Sequence, residues 1–434
     1  MQENINLFLS GVKARELFSR LYGNNQQVID HHTKRYTTLA ETFKKLFPYD
    51  QGEYHFFSSP GRTEVGGNHT DHNAGRVLAA AVHLDTIAVV KATDNNQITM
   101  YSEGYPELFK VDLSQLEPID EERGTTTALI RGIAARFRQL GLSIGGFNAA
   151  VSSTVAKGSG LSSSASIEVL IGTILSALYN GNSVKPDLIA KIGQFAENVY
   201  FGKPSGLMDQ MACAIGGFIA IDFKDKEKVV YQKLDFDLSS YGYHMLVVDT
   251  GGNHADLTRD YAEVALEMKT IAQILGKNVL RELSLDDIIR NTPVLREKAG
   301  DRAVLRAIHF YNDNQRVIDQ TKALEEKRFY DFLSLVNDSG SSSWRLLQNC
   351  YSNYNPKEQG VTLALAITEN FIKKAGEGAC RVHGGGFAGT IQVYLPDKYL
   401  NDYIEIIKVI FGKGAVNTLN IRSQGSLYIN DLLK

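Results

Sequence analysis

The chain has 434 residues, 43% of them hydrophobic and 22% charged, with a formal net charge of −3 at pH 7, and this balance is ordinary for a globular protein of two or three domains. Nucleic acids and anionic membranes select basic surfaces, so this charge argues against either partner, whereas a small anionic ligand needs only a local site. No apolar run approaches the roughly 20 residues that a membrane-spanning helix requires.

The first half of the chain mixes helical and strand-like patterns of apolar residues. The predicted elements are, in chain order, helices within 1–50, strands at 54–57, 77–82 and 86–90, a helix at 125–140, a strand at 147–151, a glycine–serine loop at 157–164, and helices that cover 165–175 and 186–200. The loop lies between a strand and a strong helix, which makes this unit the most informative part of the chain.

The second half is mainly helical until near its end. The predicted elements are a strand at 245–248, helices over most of 257–350, a strand at 390–394, a helix near 398–411 and a final strand at 426–429. Strands and helices that mix without strict alternation favour an α+β fold. A boundary after the apolar stretch that ends at Asp222 divides the chain into proposed domains 1–225 and 226–434.

The cysteines and the amino terminus bear on the cellular compartment. Cys213, Cys350 and Cys380 are far apart, odd in number and outside any metal-binding spacing, so we expect buried free thiols in a reducing compartment. The amino terminus has an early acidic residue and no long apolar core, which argues against a secretory signal. Both features predict a cytoplasmic protein.

The glycine–serine loop has the composition of a phosphate-binding site. Its glycines let the backbone approach an anion, and the following helix presents free N–H groups to the same place. The serines add hydroxyl donors for phosphate, or oxygen ligands for magnesium. Serines that cap the helix are the alternative, but three in succession exceed what capping needs. The predicted phosphate-binding residues are Gly158, Ser159, Gly160, Leu161, Ser162, Ser163 and Ser164.

Two other nucleotide-binding patterns do not apply. No G-x-x-x-x-G-K-[ST] sequence occurs, so the loop is not a Walker loop. The G-x-G-x-x-G pattern at 384–389 precedes a strand and does not open a helix, which is the wrong context for a dinucleotide fingerprint. The loop at 157–164 therefore has to be interpreted by another comparison.

Four segments in order resemble signatures of the galactokinases and of their superfamily, the galactokinase, homoserine kinase, mevalonate kinase and phosphomevalonate kinase (GHMP) group. They are S-P-G-R at 59–62 with H-T-D at 69–71, G-S-G-L-S-S-S-A at 158–165, G-K-P-S-G-L-M-D-Q at 202–210, and R-V-H-G-G-G-F-A-G at 381–389. The resemblance covers roughly residues 55 to 430. It implies a two-lobed α+β kinase whose active site lies in the cleft between the lobes. The implied activity is the phosphorylation of a sugar, galactose first, at its anomeric hydroxyl with ATP and Mg²⁺.

The resemblance also implies residue roles. Asp209 would accept the proton of the sugar hydroxyl, and Arg62 would keep Asp209 ionised and stabilise the transferring phosphoryl group. Ser164 and Glu197 would bind magnesium. The implied sugar-binding positions are Asn68, His69, Asp71, His72, Gly206 and Tyr261.

The sugar signature, G-R-x-N-L-I-G-E-H-x-D-Y in galactokinases, is imperfect here. Glu64 replaces its asparagine, Asn68 its glutamate and His72 its tyrosine. The family glutamate is understood to accept a hydrogen bond from the C6 hydroxyl, whereas an asparagine also donates and carries no charge. Galacturonate is therefore an alternative substrate, because the plant galacturonokinases also lack that glutamate and carry a histidine after the aspartate.

Further alternatives also stay open. N-acetylgalactosamine or another related sugar is a second possible acceptor. A non-catalytic sugar sensor is disfavoured, because the serine loop, Arg62 and Asp209 are all present. The sequence does not fix the oligomeric state, the nucleotide preference or the role of the first 50 residues.

Overall fold

The computed structural model describes residues 9, 11–156, 158–225, 228–252 and 257–433. Lys157 of the glycine–serine loop, Lys226 at the proposed domain boundary and nine of the first ten residues of the predicted helical segment lie outside this set. The helices are α1 (Val12–Tyr22), α2 (Gln26–Leu46), α3 (Thr126–Gln139), α4 (Ser163–Tyr179), α5 (Pro186–Phe195), α6 (Met208–Ile215), α7 (Thr258–Ile274), α8 (Leu285–Ala299), α9 (Asp301–Glu325), α10 (Phe329–Ser342), α11 (Gly360–Ala375), α12 (Leu400–Phe411) and α13 (Ile429–Leu433).

The strands form two sheets. They are β1 (His55–Gly66), β2 (Arg76–Ala92), β3 (Gln97–Ser102), β4 (Phe109–Asp112), β5 (Phe147–Ser153), β6 (Phe218–Asp222), β7 (Val230–Leu234), β8 (Tyr243–Asp249), β9 (Ala379–His383), β10 (Thr390–Pro396), β11 (Val416–Leu419) and β12 (Leu427–Tyr428). The first sheet has the order β12-β1-β2-β5-β3-β4, with β6 on β2 and β7 on β6. The second has the order β11-β8-β10-β9.

The long strand β2 is the centre of the first sheet, and its two halves pair with different strands. Its first half pairs with β6 and its second half with β5, while β1 runs along the other side. Pro60 of β1 lies opposite Asp85 and Arg62 lies opposite Ala81. Strand β2 therefore carries extra residues at this point, which we call the β1–β2 bulge. The bulge therefore lies directly before Arg62 on β1.

Alternate residues of each strand pack in different layers, as the period of two requires. In β2, Ala88 and Val90 pack with α3 and α4, whereas Val89 packs with α1 and α2. In the second sheet, Met245 and Val247 face the interface between the sheets, and the intervening residues pack under α11 and α12. The helical pair α1–α2, which we call the N-terminal hairpin, therefore covers the outer face of the first sheet.

The α+β prediction is confirmed, with three corrections to the elements. The strands predicted at 77–82 and 86–90 are one strand, because β2 pairs with β1 on both sides of the bulge. The final strand is only Leu427–Tyr428, and Ile429 begins helix α13. The predicted helical segment 1–50 is broken at Gly23 between α1 and α2. Strands β3, β4, β6, β7, β9 and β11 were not predicted.

The domain boundary at 225 stays a prediction. The first sheet continues past that position to β7 and includes β12 from the end of the chain, so sheet membership alone would place a boundary after Leu234. The three cysteines are buried and free, as expected. Among the described residues, no helix combines the length and the apolar character needed to cross a membrane.

Candidate active site

Arg62 and Asp209 form a bidentate ion pair. Arg62 Nε donates to Asp209 Oδ1 at 2.7 Å and Nη2 donates to Oδ2 at 2.8 Å. Arg62 lies on β1 and is buried. Asp209 is the second residue of α6, where the positive end of the helix dipole favours a carboxylate. Because the Asp209 side chain is 29% exposed, a ligand can reach one member of the pair while the other is held inside.

The pair is charged at neutral pH. Burial alone would raise the pKa of Asp209, but the Arg62 guanidinium and the hydrogen bonds from Arg62 and Ser162 outweigh it, and the pKa is lowered. Burial acts against the charge of Arg62 as well, yet the Asp209 carboxylate raises the pKa of Arg62 above its usual value. Asp209 is thus an ionised acceptor of low basicity.

The glycine–serine loop lies directly on this ion pair. The Ser162 hydroxyl donates to Asp209 Oδ2, and the Gly160 carbonyl accepts from Arg62 Nη1. The backbone N–H of Arg62 donates to the Leu161 carbonyl at 3.0 Å. Ser162 is the N-cap of α4 with φ 58°, but its side chain makes no capping hydrogen bond. The capping interpretation of Ser162 therefore fails, and the first N–H groups of α4 remain available to an anion.

The remaining loop residues divide by the direction of their side chains. Gly158 and Gly160 have φ of 77° and 72°, which glycine adopts without strain. The Ser159 hydroxyl donates to the Ala156 carbonyl at 2.6 Å, and Leu161 is buried in the core between the sheets. These two residues can therefore offer only backbone groups to a phosphate. Among residues 158–164 of the loop, the side chains that stay partly exposed are Ser162, Ser163 and Ser164.

The glycine run at 384–386 connects to the predicted sugar-binding residues through three successive carbonyls. Asn68 Nδ2 donates to the first at 2.7 Å, His69 Nε2 to the second at 2.9 Å and the Tyr261 hydroxyl to the third at 3.2 Å. Burial, with a contribution from His72, lowers the pKa of His69 to about 4, so His69 is neutral and carries its proton on Nε2. A Cβ at position 385 would lie 2.4 Å from the Tyr261 ring, which explains the glycine there.

Asp71 and Gly206 are in contact. Asp71 begins a short helical turn, and its Oδ1 accepts the His72 N–H at 2.9 Å. A Cβ at Gly206 would lie 1.9 Å from Asp71 Oδ2, so no larger residue fits without moving the carboxylate. Gly206 precedes Asp209 by three residues. The contact therefore brings the sugar signature and the segment at 202–210 together.

Asn68 is fully used by the protein. Its Nδ2 donates to Glu64 Oε1 at 2.9 Å and to the Gly384 carbonyl, and its Oδ1 accepts from Asn349 Nδ2 at 2.8 Å and Ser343 Oγ at 3.2 Å. A side-chain amide has two donor hydrogens and two acceptor lone pairs, and the residue is fully buried. Asn68 thus lies beneath the site and has no group left for a sugar. Its inclusion among the sugar contacts gains no support.

Glu197 and Ser164 are neighbours, as the resemblance implied. Their side-chain oxygens are 3.4 Å apart. Glu197 is buried and also accepts from Lys203 Nζ at 2.9 Å, Gln210 Nε2 at 3.0 Å and the Ser205 hydroxyl. These three supporting residues were not predicted, although all belong to the segment at 202–210. Within the described ranges, no cluster of three or more histidine, cysteine, aspartate or glutamate side chains forms a metal site.

The sequence matches two protein-family models and several galactokinases. The GHMP kinase N-terminal domain model matches residues 128–217, and the galactokinase galactose-binding signature matches residues 41–92. A Clostridium beijerinckii galactokinase is 30% identical over 396 residues, 90% of this chain and 96% of the relative. A Lactococcus lactis galactokinase is 30% identical over 361 residues, 81% of this chain and 86% of the relative.

Solved structures agree on the fold. A crystal structure of Lactococcus lactis galactokinase complexed with galactose superimposes with a TM-score of 0.78 at 24% identity, over 91% of this chain and 99% of that one. A Methanococcus jannaschii mevalonate kinase superimposes with a TM-score of 0.60 at 18% identity, over 86% and 99% of the two chains.

The serine loop before α4, the carboxylate at the start of α6 and the two-sheet fold therefore define a GHMP-type kinase, a phosphotransferase with an alcohol group as acceptor. Within that class the chain belongs to the galactokinase family.

Proposed function

We propose that the protein transfers the γ-phosphoryl group of ATP to the anomeric hydroxyl of galactose and forms galactose 1-phosphate and ADP. The observation that carries this proposal is the bidentate pair of Arg62 and Asp209, held by Ser162 at the start of the phosphate loop. In the reaction the hydroxyl oxygen forms a bond to the γ-phosphorus and the bond from that phosphorus to the β–γ bridging oxygen breaks. The hydroxyl proton passes to Asp209, and ADP leaves.

The charge state of the pair defines the part that each residue plays. Asp209 is ionised and of low basicity, so it orients the hydroxyl by accepting its hydrogen bond and receives the proton as the phosphorus–oxygen bond forms. A loose transition state requires little early deprotonation of the hydroxyl. Arg62, anchored by Asp209, offers positive charge to the phosphoryl group as negative charge redistributes over its oxygens.

Ser164 and Glu197 would hold a magnesium ion. Their hydroxyl and carboxylate oxygens suit this hard cation, which usually takes one or two carboxylates, with substrate phosphates and waters as its other ligands. When bound, the ion would neutralise phosphate charge. Lys203 and Gln210 donate hydrogen bonds to the Glu197 carboxylate and hold it beside Ser164. A cytoplasmic location also remains part of the proposal.

We propose galactose, and not a C6-altered sugar, as the substrate. The case for galacturonate rested on Asn68 and His72, and the hydrogen-bonding groups of Asn68 are all used within the protein. His72, with its side chain 35% exposed beside Asp71, is the remaining departure from the signature that can contact a sugar. N-acetylgalactosamine differs at C2, and no described contact favours it.

The test is an ADP-release assay with ATP and magnesium that compares galactose, galacturonate, N-acetylgalactosamine and glucose. We expect galactose to be the preferred acceptor. Asp209→Asn, which keeps the shape of the side chain, is expected to lower kcat by about a thousandfold, the range found for a catalytic carboxylate that orients or receives a proton. Asp235→Asn removes an exposed carboxylate and is the matched control. Preference for galacturonate would assign His72 to its recognition, and sugar binding without turnover would identify a sensor.

A further inference from the structure

Asp85 is a buried carboxylate at the β1–β2 bulge, and side chains from three parts of the chain meet on it. Its Oδ1 accepts from Arg35 Nη1 at 2.8 Å, and its Oδ2 accepts from the hydroxyls of Tyr22 and Ser58, each at 2.6 Å. Arg422 Nη1 lies 3.4 Å from Oδ2 and donates to the Ser58 hydroxyl at 2.6 Å. Arg35 and Tyr22 come from the N-terminal hairpin, whereas the other partners belong to β1 and the end of the chain.

Arg35 also contacts a second side chain, which belongs to the N-terminal hairpin. Its Nη1 lies 3.0 Å from His32 Nδ1, and the His32 ring stacks on Tyr22 with ring centroids 3.4 Å apart. Burial lowers the pKa of His32 to about 3, so the ring is neutral and accepts from the guanidinium. The stacked pair belongs to the hairpin, so the hairpin itself helps to hold the Arg35 guanidinium beside Asp85.

The bulge adjoins the elements that build the active site. Asp85 lies opposite Pro60, two residues from Arg62 on β1. The backbone of Asp85 also exchanges two hydrogen bonds with Thr154, from Asp85 N to Thr154 Oγ1 at 3.0 Å and from Thr154 N to the Asp85 carbonyl at 2.9 Å. Thr154 directly follows β5 and leads into the phosphate loop. A shift of Asp85 would therefore move both Arg62 and the start of that loop.

We propose that Arg35 is a positioning residue for phosphoryl transfer, because it fixes Asp85 at the β1–β2 bulge and so holds Arg62 and the start of the phosphate loop in register. This inference rests on the proposed function of the same site. The galactose-binding signature begins at residue 41 and leaves Arg35 outside it, so the hairpin adds a support to the catalytic strand. A hairpin that only covered apolar surface would contribute stability and leave turnover of the folded enzyme unchanged.

The test compares Arg35→Met, which keeps the length of the side chain without its charge, with Arg35→Lys and with Lys34→Met, an exposed neighbour on α2. A 1 Å displacement at a reacting centre can cost about a hundredfold. We expect Arg35→Met to lower kcat at least about 10-fold, Arg35→Lys to restore part of the loss, and Lys34→Met to match the wild type. Unchanged kcat and KM in folded Arg35→Met would overturn the proposal, whatever its thermal stability.

A double-mutant cycle separates positioning from general damage. If Arg35 acts through Arg62, the loss caused by Arg35→Met should fall below about 2-fold when Arg62→Lys is already present, whereas additive losses would overturn the proposal. Tyr22→Phe, which removes one hydrogen bond from the same carboxylate, provides a milder variant if Arg35→Met does not fold. Tyr22→Phe should lower kcat about 3-fold, and an unchanged kcat in this variant would count against the proposal.

Nucleotide binding keeps this inference distinct from the proposed function. If the wild type turns over none of the four sugars, the proposed function fails. Titration with ATP and magnesium still tests whether the hairpin holds the phosphate loop. Arg35→Met is then expected to weaken ATP binding about 10-fold relative to Lys34→Met, and equal affinities in the two variants would overturn the inference.

Discussion

Gly206→Ala tests the contact between the sugar signature and the segment that carries Asp209. The backbone of Gly206 lies outside the left-handed region, so alanine fits its conformation, but the new Cβ would lie 1.9 Å from Asp71 Oδ2. To reach ordinary van der Waals contact the carboxylate must retreat by roughly 1.5 Å. The oxygen belongs to the end of a side chain, so it can move without unfolding the protein.

This displacement sets the expected magnitude. Misplacing a substrate-positioning group by about 1 Å can cost about a hundredfold in rate, which corresponds to about 2.7 kcal/mol. We therefore expect Gly206→Ala to lower kcat/KM for galactose by 10- to 100-fold, roughly, with most of the change in the KM for the sugar if Asp71 binds it. The KM for ATP and the melting temperature should change little. Steady-state kinetics with each substrate varied, together with thermal unfolding, measure all four quantities.

The control removes the carboxylate that the methyl group would strike. Asp71→Ala alone should also weaken turnover of galactose, but adding Gly206→Ala to it should cost less than about 2-fold more, because the steric conflict no longer exists. Full activity of the single variant Gly206→Ala would refute the reasoning, as would an equal loss from Gly206→Ala with and without Asp71.

Three further predictions follow from the same geometry. Ser162→Ala removes a hydrogen-bond donor to the Asp209 carboxylate; burial favours the protonated carboxyl, whereas Arg62 and Ser162 lower its pKa. The acidic limb of kcat/KM against pH should therefore move to higher pH, and a limb that stays in place would contradict this. At neutral pH we expect about a 10-fold loss of kcat/KM, because a hydrogen bond to a charged group is worth about 1.5 kcal/mol or more. Asp85→Asn should lower the free energy of unfolding by about 2 kcal/mol at pH 7, because burial opposes the charge of Asp85 but Arg35 and Arg422 outweigh it and lower the pKa from 3.8 to about 2. This stabilisation is present above the unfolded pKa and is lost as pH falls through the folded pKa. In urea unfolding, the difference in unfolding free energy between wild type and variant should therefore shrink near pH 2.5, and a constant difference would argue against the prediction. Gly160→Ala places a Cβ 2.7 Å from Thr390 Oγ1 at φ +72° and should raise the KM for ATP about 10-fold while the KM for the sugar holds; the reverse pattern would show that the loop serves the sugar.

Local chemistry explains what could be predicted from the sequence. Glycines beside three serines at the start of a helix define a phosphate loop by backbone geometry alone, and the helix that follows this loop is confirmed as α4. The joining of the two predicted strands into β2 could not be predicted. His83 and Asp85 interrupt the apolar pattern there, and the groups that satisfy Asp85 come from distant parts of the chain.

The candidate site divides in the same way. The pairing of Arg62 with Asp209 follows from motifs that the sequence displays. The support of Glu197 by Lys203 does not, because a lysine in a loop is usually solvated. Glu197 lies in the π-helical turn Ala196–Phe201 that follows α5, and Lys203 comes directly after that turn. The position of Asn68 in the signature predicted that it contacts the sugar. Its amide is instead bound by Ser343 and Asn349, which follow α10 in the chain.

The departures at Glu64 and Asn68 belong together. The signature has an asparagine at the first position and a glutamate at the second, and this chain has the reverse; the two side chains share a hydrogen bond of 2.9 Å from Asn68 Nδ2 to Glu64 Oε1. The carboxylate is thereby kept but moved, and at position 64 it accepts from Arg381 at 2.6 Å, a fully buried cation that needs a charged partner. Burial raises the pKa of Glu64, while Arg381 and Arg62 oppose that rise. Restoring glutamate at position 68 alone would set two buried carboxylates against each other, so the exchange is a matched pair and does not by itself indicate a different sugar.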